Sequence, residues 1–411
     1  MMIKMFRYSV GIFIVCCTFL LSSCDYMDVN NMSIVTGISL DKQGNKYIMG
    51  IQVVNPSEIA GRVITQRPEI LVYHIEAANN EDILGPLSLR LAKTLDTSHT
   101  KVVIIGERLA RENVVYFNDL FDRNILFNQT ASVLIAQGGV DPTKLLTTLI
   151  PDSKTTANRM EELLINGPKN YSSAQKTNFD SILVQKVLLG VQPTIQGVWL
   201  RGEINDKTIN ESVKNQTKTV PTNEIILGGI GILKDFKLIG FLDPFYTPFF
   251  NALRNEAQHF KIKSYCGKNK YNKFMLYNIK VNRKVKIKDG IPHFHLEAKY
   301  DADLVSSQCN YEESYKTIVM LEKVLNQELE KRLIKTVAVI QQNFAVDSIG
   351  FGETVRREDQ KFWSKHKTEW DDYFVKSKFT YKAKGTIRSY GLKTEQPSKK
   401  VERYIEVGPN E

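Results

Sequence analysis

Cysteine, tryptophan, histidine and long apolar runs are all scarce in this chain of 411 residues. It has five cysteines, three tryptophans and six histidines. No CxxC pair and no Cys/His spacing of a structural zinc site occurs. The longest strongly apolar run, Val10–Leu21, has 12 residues, and a spanning helix needs about 20. That excludes a polytopic membrane protein. Gly-x-Ser-x-Gly, His-Glu-x-x-His and Walker loops are also absent. No catalytic, cofactor-binding or metal-binding residue can therefore be nominated, which weakens an enzyme reading. What is present looks like an ordinary folded chain of two or three domains, with 42% hydrophobic and 24% charged residues. Charge is the exception. The 55 Lys+Arg against 45 Asp+Glu give +10, which suits an anionic partner: nucleic acid, membrane or an acidic wall polymer.

Lys4 and Arg7 are the only charges before Asp25, and they precede the run Val10–Leu21. A positive stretch, a short apolar core and then small residues form an export signal. The segment ends in Leu21-Ser22-Ser23-Cys24, which resembles a bacterial lipobox. In such a sequence the Cys24 thiol receives a diacylglycerol, and cleavage before it makes Cys24 the new N-terminus. Residues 1–23 then read as a signal peptide. Their removal takes away Lys4 and Arg7 and leaves 388 residues with a net charge of +8. The expected location is a membrane, by lipid anchor, and no cofactor is expected besides that covalent acyl lipid.

Cys16 and Cys17 lie in the signal, so Cys266 and Cys309 alone remain in a compartment that permits disulfides. Both sit near ends of expected strands, and a bridge and two unpaired thiols are both open.

The pattern along the chain is α+β. Ile34–Leu40 and Lys46–Val54 read as a hairpin, and Ile70–Glu76 as a strand. A helix is expected over Glu81–Leu95, a buried strand over Lys101–Gly106, a helix over Glu107–Phe121 and a strand over Ala131–Gln137. Asp141-Pro142 opens a helix, and two more follow near Thr155–Ile165 and Ser173–Leu189. Val191–Ile204 reads as a strand. Asn205–Asn223 is polar throughout and reads as a linker, dividing an N-terminal region at 24–204, in one or two modules, from a C-terminal region at 224–395. In the latter, Ile225–Leu233 and Lys237–Leu242 form a hairpin, Asp243–Ala257 a helix, and Lys273–Lys288 with Pro292–Tyr300 a second hairpin around Asp289-Gly290. Glu312–Phe344 reads as a long helix with Ile318, Leu321, Leu325, Leu329, Leu333, Val337, Ile340 and Phe344 on one face. A shorter helix near Glu358–Lys367, a strand over Lys376–Ser389 and a polar tail at 396–411 complete the chain. The expected architecture is thus two to three mixed modules with largely antiparallel, hairpin-rich sheets and a long C-terminal helix.

The basic excess has an address. Lys261–Lys288 holds ten Lys/Arg and no Asp or Glu. Within it Ile279, Val281, Val285 and Ile287 alternate with Lys280, Lys284, Lys286 and Lys288, giving one strand with a buried face and a lysine face. Three uses are open for these four lysines: a solvated or edge-protecting face, contact with an anionic membrane or acidic partner, and nucleic acid, which an exported chain would not meet. His293 and His295 would share a strand face without a third metal ligand at motif spacing. Gly228-Gly229-Ile230-Gly231 lies inside a strand pattern and reads as close backbone packing.

Several stretches together resemble the Ger(x)C family, the C subunit of spore germinant receptors: Cys24–Asp28 with Ile34–Asp41, Lys101–Arg111 (KVVIIGERLAR), Gly228–Leu242, and Asp347–Trp363 (DSIGFGETVRREDQKFW) through Trp370 and Phe374. The Trp common just after the family's Cys is missing. The resemblance implies a lipoprotein on the outer face of the inner spore membrane. It also implies action with integral-membrane A and B subunits in response to nutrients, a mixed α/β fold and no established catalysis. Ile349, Phe351, Phe362, Trp363 and Trp370 suit core packing better than ligand contact. The rival reading is the solute-binding lipoprotein of a transporter, which would have two hinged lobes on parallel sheets.

Overall fold

The structure is a computed structural model. It describes residues 32–389 except 55–67, 80–82, 84–86, 88, 119–120, 122–126, 189–190, 203–218, 222, 310 and 312–313. The signal, Cys24, most of the expected linker and the polar tail lie outside the described residues.

Two sheets organise the chain. The larger contains β1 (Met32–Gln43), β2 (Lys46–Val54), β3 (Ile70–Ala77), β4 (Thr94–Asp96), β5 (Val102–Gly106), β6 (Ser132–Ala136), β7 (Thr194–Gly202), β8 (Asn223–Lys234) and β9 (Lys237–Leu242). Its order is β3-β2-β1-β5-β6-β7-β8-β9, with β4 beside β1. Antiparallel hairpins form the flanks, and the centre, β1-β5-β6-β7, is parallel. β5 and β6 are buried throughout, as central parallel strands covered on both faces must be. Around the sheet lie α1 (Glu107–Glu112), α2 (Pro142–Thr147), α3 (Thr156–Tyr171) and α4 (Phe179–Leu188).

The smaller sheet, β10-β11-β12-β13, contains β10 (His259–Gly267), β11 (Lys270–Lys288), β12 (Ile291–Ser307) and β13 (Lys378–Ser389). The Asp289-Gly290 turn takes positive φ at both residues, as a two-residue hairpin loop with right-handed strand twist requires. β12 and β13 run parallel. A long helix, α6 (Tyr315–Asn343), covers one face of this sheet, and α5 (Thr247–Leu253) precedes the sheet in the chain. Three short helices, α7 (Phe351–Glu358), α8 (Gln360–His366) and α9 (Trp370–Lys376), lead from α6 to β13. Leu321, Leu325, Leu329, Leu333, Val337 and Ile340 of α6 are buried in one core with Phe274, Phe294, Leu296 and Phe351.

Three expectations change. The helix foreseen to Leu95 gives way before that point to β4, which pairs parallel with Met32–Ile34. The helix foreseen over Glu107–Phe121 stops at Glu112, because Asn113 is extended and its side chain accepts from Val115 N at 3.0 Å. That local bond competes with the helix. The segment Asp243–Ala257 is one 3-10 turn plus α5, capped by Asp243. β8 and β9, which follow the expected linker at 205–223, complete the larger sheet. Ile230, Ile232 and Leu242 there share a core with α6 and the smaller sheet, whereas Leu233 and Leu238 belong to the core of the larger. Two lobes on separate parallel sheets, the architecture of the rival transporter reading, are not what this chain forms.

Candidate interaction surface

The four lysines nominated from sequence fall on the smaller sheet, on its outer face opposite α6. Lys280, Lys284, Lys286 and Lys288 are all exposed there, alternating with buried Val281 and Val285. Register then adds neighbours that sequence spacing does not disclose. Lys280 lies opposite Lys299 of β12, and Lys299 lies beside Lys384 of β13. Three lysines therefore stand in one row across three strands about 5 Å apart. A second row runs Lys286, His293, Lys378. On the far side Lys263 faces Lys273. His293 and His295 share this face as expected, and His295 Nδ1 meets Thr380 Oγ1 at 3.0 Å. No group of three metal-ligating side chains occurs among the described residues.

Three carboxylates share the face, and each is engaged. Glu297 meets Lys384 at 3.1 Å, Asp301 pairs with Arg388 at 2.8 Å and accepts from Asn278, and Asp303 accepts from Tyr277 Oη at 3.1 Å. The Lys384 ammonium, with Lys299 and Lys382 near it, holds the Glu297 carboxyl below the usual carboxylate range. Among the described residues, Lys280, Lys284, Lys286, Lys288, Lys299, Lys378 and Lys382 form no ion pair.

Part of the edge-protecting role is taken by other side chains, on the stretch of β11 that extends past β10 and along β13. Among the described residues, no strand pairs with β11 on the β10 side beyond Tyr277. There Asn255 accepts from Val281 N at 2.7 Å and donates to Val281 O, and Glu358 accepts from Val285 N at 2.8 Å. At the other edge Glu322, Asn326 and Glu330 of α6, one turn apart, accept from the backbone N–H groups of Ile387, Gly385 and Ala383. Those backbone donors are thereby satisfied, and the lysines project from the exposed face.

Cys266 and Cys309 are joined as a disulfide with Cα atoms 6.3 Å apart, at the end of the sheet where β10 turns into β11. The glycines 228 and 229 pack against backbone and side chain: a Cβ would lie 2.0 Å from Gln137 Oε1 and 2.2 Å from Leu242 O, respectively.

The motif Asp347–Trp370 builds the joint between the two sheets. Asp347 is fully buried. Its Oδ1 accepts from Ile349 N at 3.2 Å and Gly350 N at 2.7 Å; its Oδ2 accepts from Gly352 N at 2.7 Å and Trp370 Nε1 at 2.8 Å. Gly352 is needed here because a Cβ would lie 2.8 Å from Trp370 Nε1. Arg283 donates to Gly350 O and Leu253 O and lies over the Phe351 ring; burial lowers its pKa to about 10, so it stays charged at neutral pH. Asp347 N donates to Asp371 Oδ1, Asp371 Oδ2 accepts from Gln192 Nε2 at 2.8 Å, and Gln192 Oε1 accepts from Asp235 N at 3.2 Å. Gln192 leads into β7 and Asp235 sits in the β8–β9 turn, so one network ties the larger sheet to α7 and α9. Ile349, Phe351 and Trp370 are buried, and Phe362 and Trp363 pack against the same core. This agrees with the packing role read from sequence.

A second pair joins two more of the resembling stretches. Asp41, at the end of β1, is 4% exposed and accepts from Arg108 of α1 at 2.5 Å. Neither Asp347, Asp371, Gln192 nor this pair carries a spacing motif; the DSIGFG stretch was the one signal available.

The fold and this surface define a two-sheet α+β scaffold with a basic face and a hydrogen-bonded joint. Residues 25–195 match the family described as spore germination protein N-terminal domain, and residues 228–391 match spore germination B3/GerAC like, C-terminal. The chain belongs to the Ger(x)C family of spore germination proteins. It is 27% identical over 382 residues to spore germination protein KC of Bacillus subtilis (strain 168), covering 90% of this chain and 92% of that protein. It is 21% identical over 373 residues to spore germination protein B3 of the same organism, covering 89% and 93%. The crystal structure of the GerBC protein shares the fold, with a TM-score of 0.51 and 19% identity over 86% of this chain and 97% of that one. No helix among the described residues is long and apolar enough to cross a membrane.

Proposed function

We propose that this protein is the C subunit of a nutrient germinant receptor, held on the outer face of the inner spore membrane by an acyl lipid on Cys24. It acts by binding and assembly with integral-membrane A and B subunits and not by catalysis. The observation that carries this reading is similarity along almost the whole length of spore germination proteins KC and B3. Two features support the anchor. The family match begins at residue 25, immediately after Cys24, and the stretch before it has the charge, apolar core and small residues of an export signal. Two acyl chains anchor stably where one binds reversibly.

The test is membrane fractionation with palmitate labelling of Cys24→Ala. The variant is expected to lose the label and leave the membrane fraction. Unchanged labelling and fractionation would refute the anchor.

A further inference from the structure

We propose that the outer face of the β10–β13 sheet docks flat on an anionic lipid bilayer. The inference deepens the membrane reading above and shares only its location, since the contact itself needs no acyl chain.

The row Lys280–Lys299–Lys384 is the central observation. Like charges directly opposite on adjacent strands oppose folding, and here two such contacts follow one another. Only Lys384 of the three has a carboxylate, Glu297. An anion facing this row would offset the repulsion. Asn255 and Glu358 engage backbone donors on the free stretch of β11, and three α6 side chains engage those of β13, and Lys299 stands on the interior strand β12, where no edge needs blocking.

The lysine rows repeat along β11, β12 and β13 of an open sheet face, an extended array of cations that suits the many anionic headgroups of a bilayer surface. At the disulfide end Tyr265 is 57% exposed and Val305 49% exposed. Tyr265 lies on this outer face by strand alternation, Val305 is the extra residue of the bulge between Leu304 and Ser306, and an exposed Tyr suits the headgroup level of a membrane. Anionic headgroups attract nearby lysines, and contact flat on the bilayer engages several rows at once.

The experiment uses the full chain with Cys24→Ala, which cannot be acylated. It is sedimented with vesicles of phosphatidylcholine alone and of phosphatidylcholine with phosphatidylglycerol. The readout is the ratio of the two partition coefficients, so apolar contacts common to both vesicles cancel. The ratio is expected to be well above one and to fall with added salt, as exposed charges are screened. Adding Lys280→Gln, Lys299→Gln, Lys382→Gln and Lys384→Gln is expected to lower it by about a hundredfold or more. Removing the same charge from the opposite side, at Lys316, Lys323, Lys331 and Lys335 of α6, is expected to change it little. A ratio near one overturns the proposal and leaves the face to an acidic protein. Equal losses from the two sets of four also overturn it, because general basicity would then suffice. Failure of palmitate labelling at Cys24 would leave this result untouched, so the two readings fail separately.

Discussion

Replacing Asp347 by Asn tests the joint between the two sheets. The carboxylate accepts four hydrogen bonds, two on each oxygen. An amide keeps one acceptor and turns an N–H₂ toward the donors of the other. In one orientation Gly352 N and Trp370 Nε1 lose their acceptor; in the other, Ile349 N and Gly350 N do. Asp347 is fully buried, so no water replaces it. Each orphaned buried donor costs about 1–3 kcal/mol, and bonds to a charged acceptor are the stronger kind. The expected loss is about 3–5 kcal/mol, a large share of the ~5–15 kcal/mol that holds a typical protein folded. At a urea slope of about 3 kcal/mol/M the midpoint should fall by about 1–1.7 M. Tryptophan fluorescence is a suitable probe, because two of the three tryptophans, Trp363 and Trp370, stand edge-to-face at this joint with ring centroids 5.6 Å apart. A loss below about 1 kcal/mol would refute the role given to the carboxylate.

Other positions give independent checks. Arg108→Ala leaves Asp41 buried beside its unpartnered Oδ1 and should cost about 1–3 kcal/mol by thermal unfolding, less than for a fully buried pair because Arg108 is exposed; a neutral result would contradict the pairing. Leu329→Ala, at a fully buried position in the centre of α6, should cost about 2–5 kcal/mol in the same assay, and a small effect would mean that α6 is loosely packed. Asp371 has its pKa raised above the ordinary 3.8 by burial, against bonds from Asp347 N and Gln192. The folded chain then holds a proton that the unfolded chain releases, so the group's contribution falls as pH rises through the window above 3.8. The deficit of Asp371→Asn relative to the parent should therefore shrink as pH rises, and a growing deficit would contradict that sign.

Much of the fold could be read along the chain. The α6 face from Leu321 to Ile340 follows a 3.6-residue period, and the Asp289-Gly290 hairpin carries its own turn signal. The lysine alternation of β11 was legible because a buried and an exposed face differ at every second residue. Long-range partners were not. Lys280, Lys299 and Lys384 become neighbours only through register, which depends on the Tyr277/Lys280 irregularity in β11 and on β13 joining parallel to β12. β10 was passed over because its alternation, with Phe260 and Ile262 inward, was absorbed into a general count of basic residues. The joint at Asp347 combines Gln192, Asp235 and Asp371, whose separations carry no period. The Asn113 turn shows the converse limit: an apolar pattern favoured a longer helix, and one local side-chain bond ended it.

Assembly is tested most directly by purifying the affinity-tagged full chain from detergent-solubilised spore membranes and identifying what accompanies it. The account predicts two integral-membrane subunits of one receptor, retained through washing. Recovery of the chain with a transporter's permease and ATPase, or from the soluble fraction with no membrane protein, would contradict it.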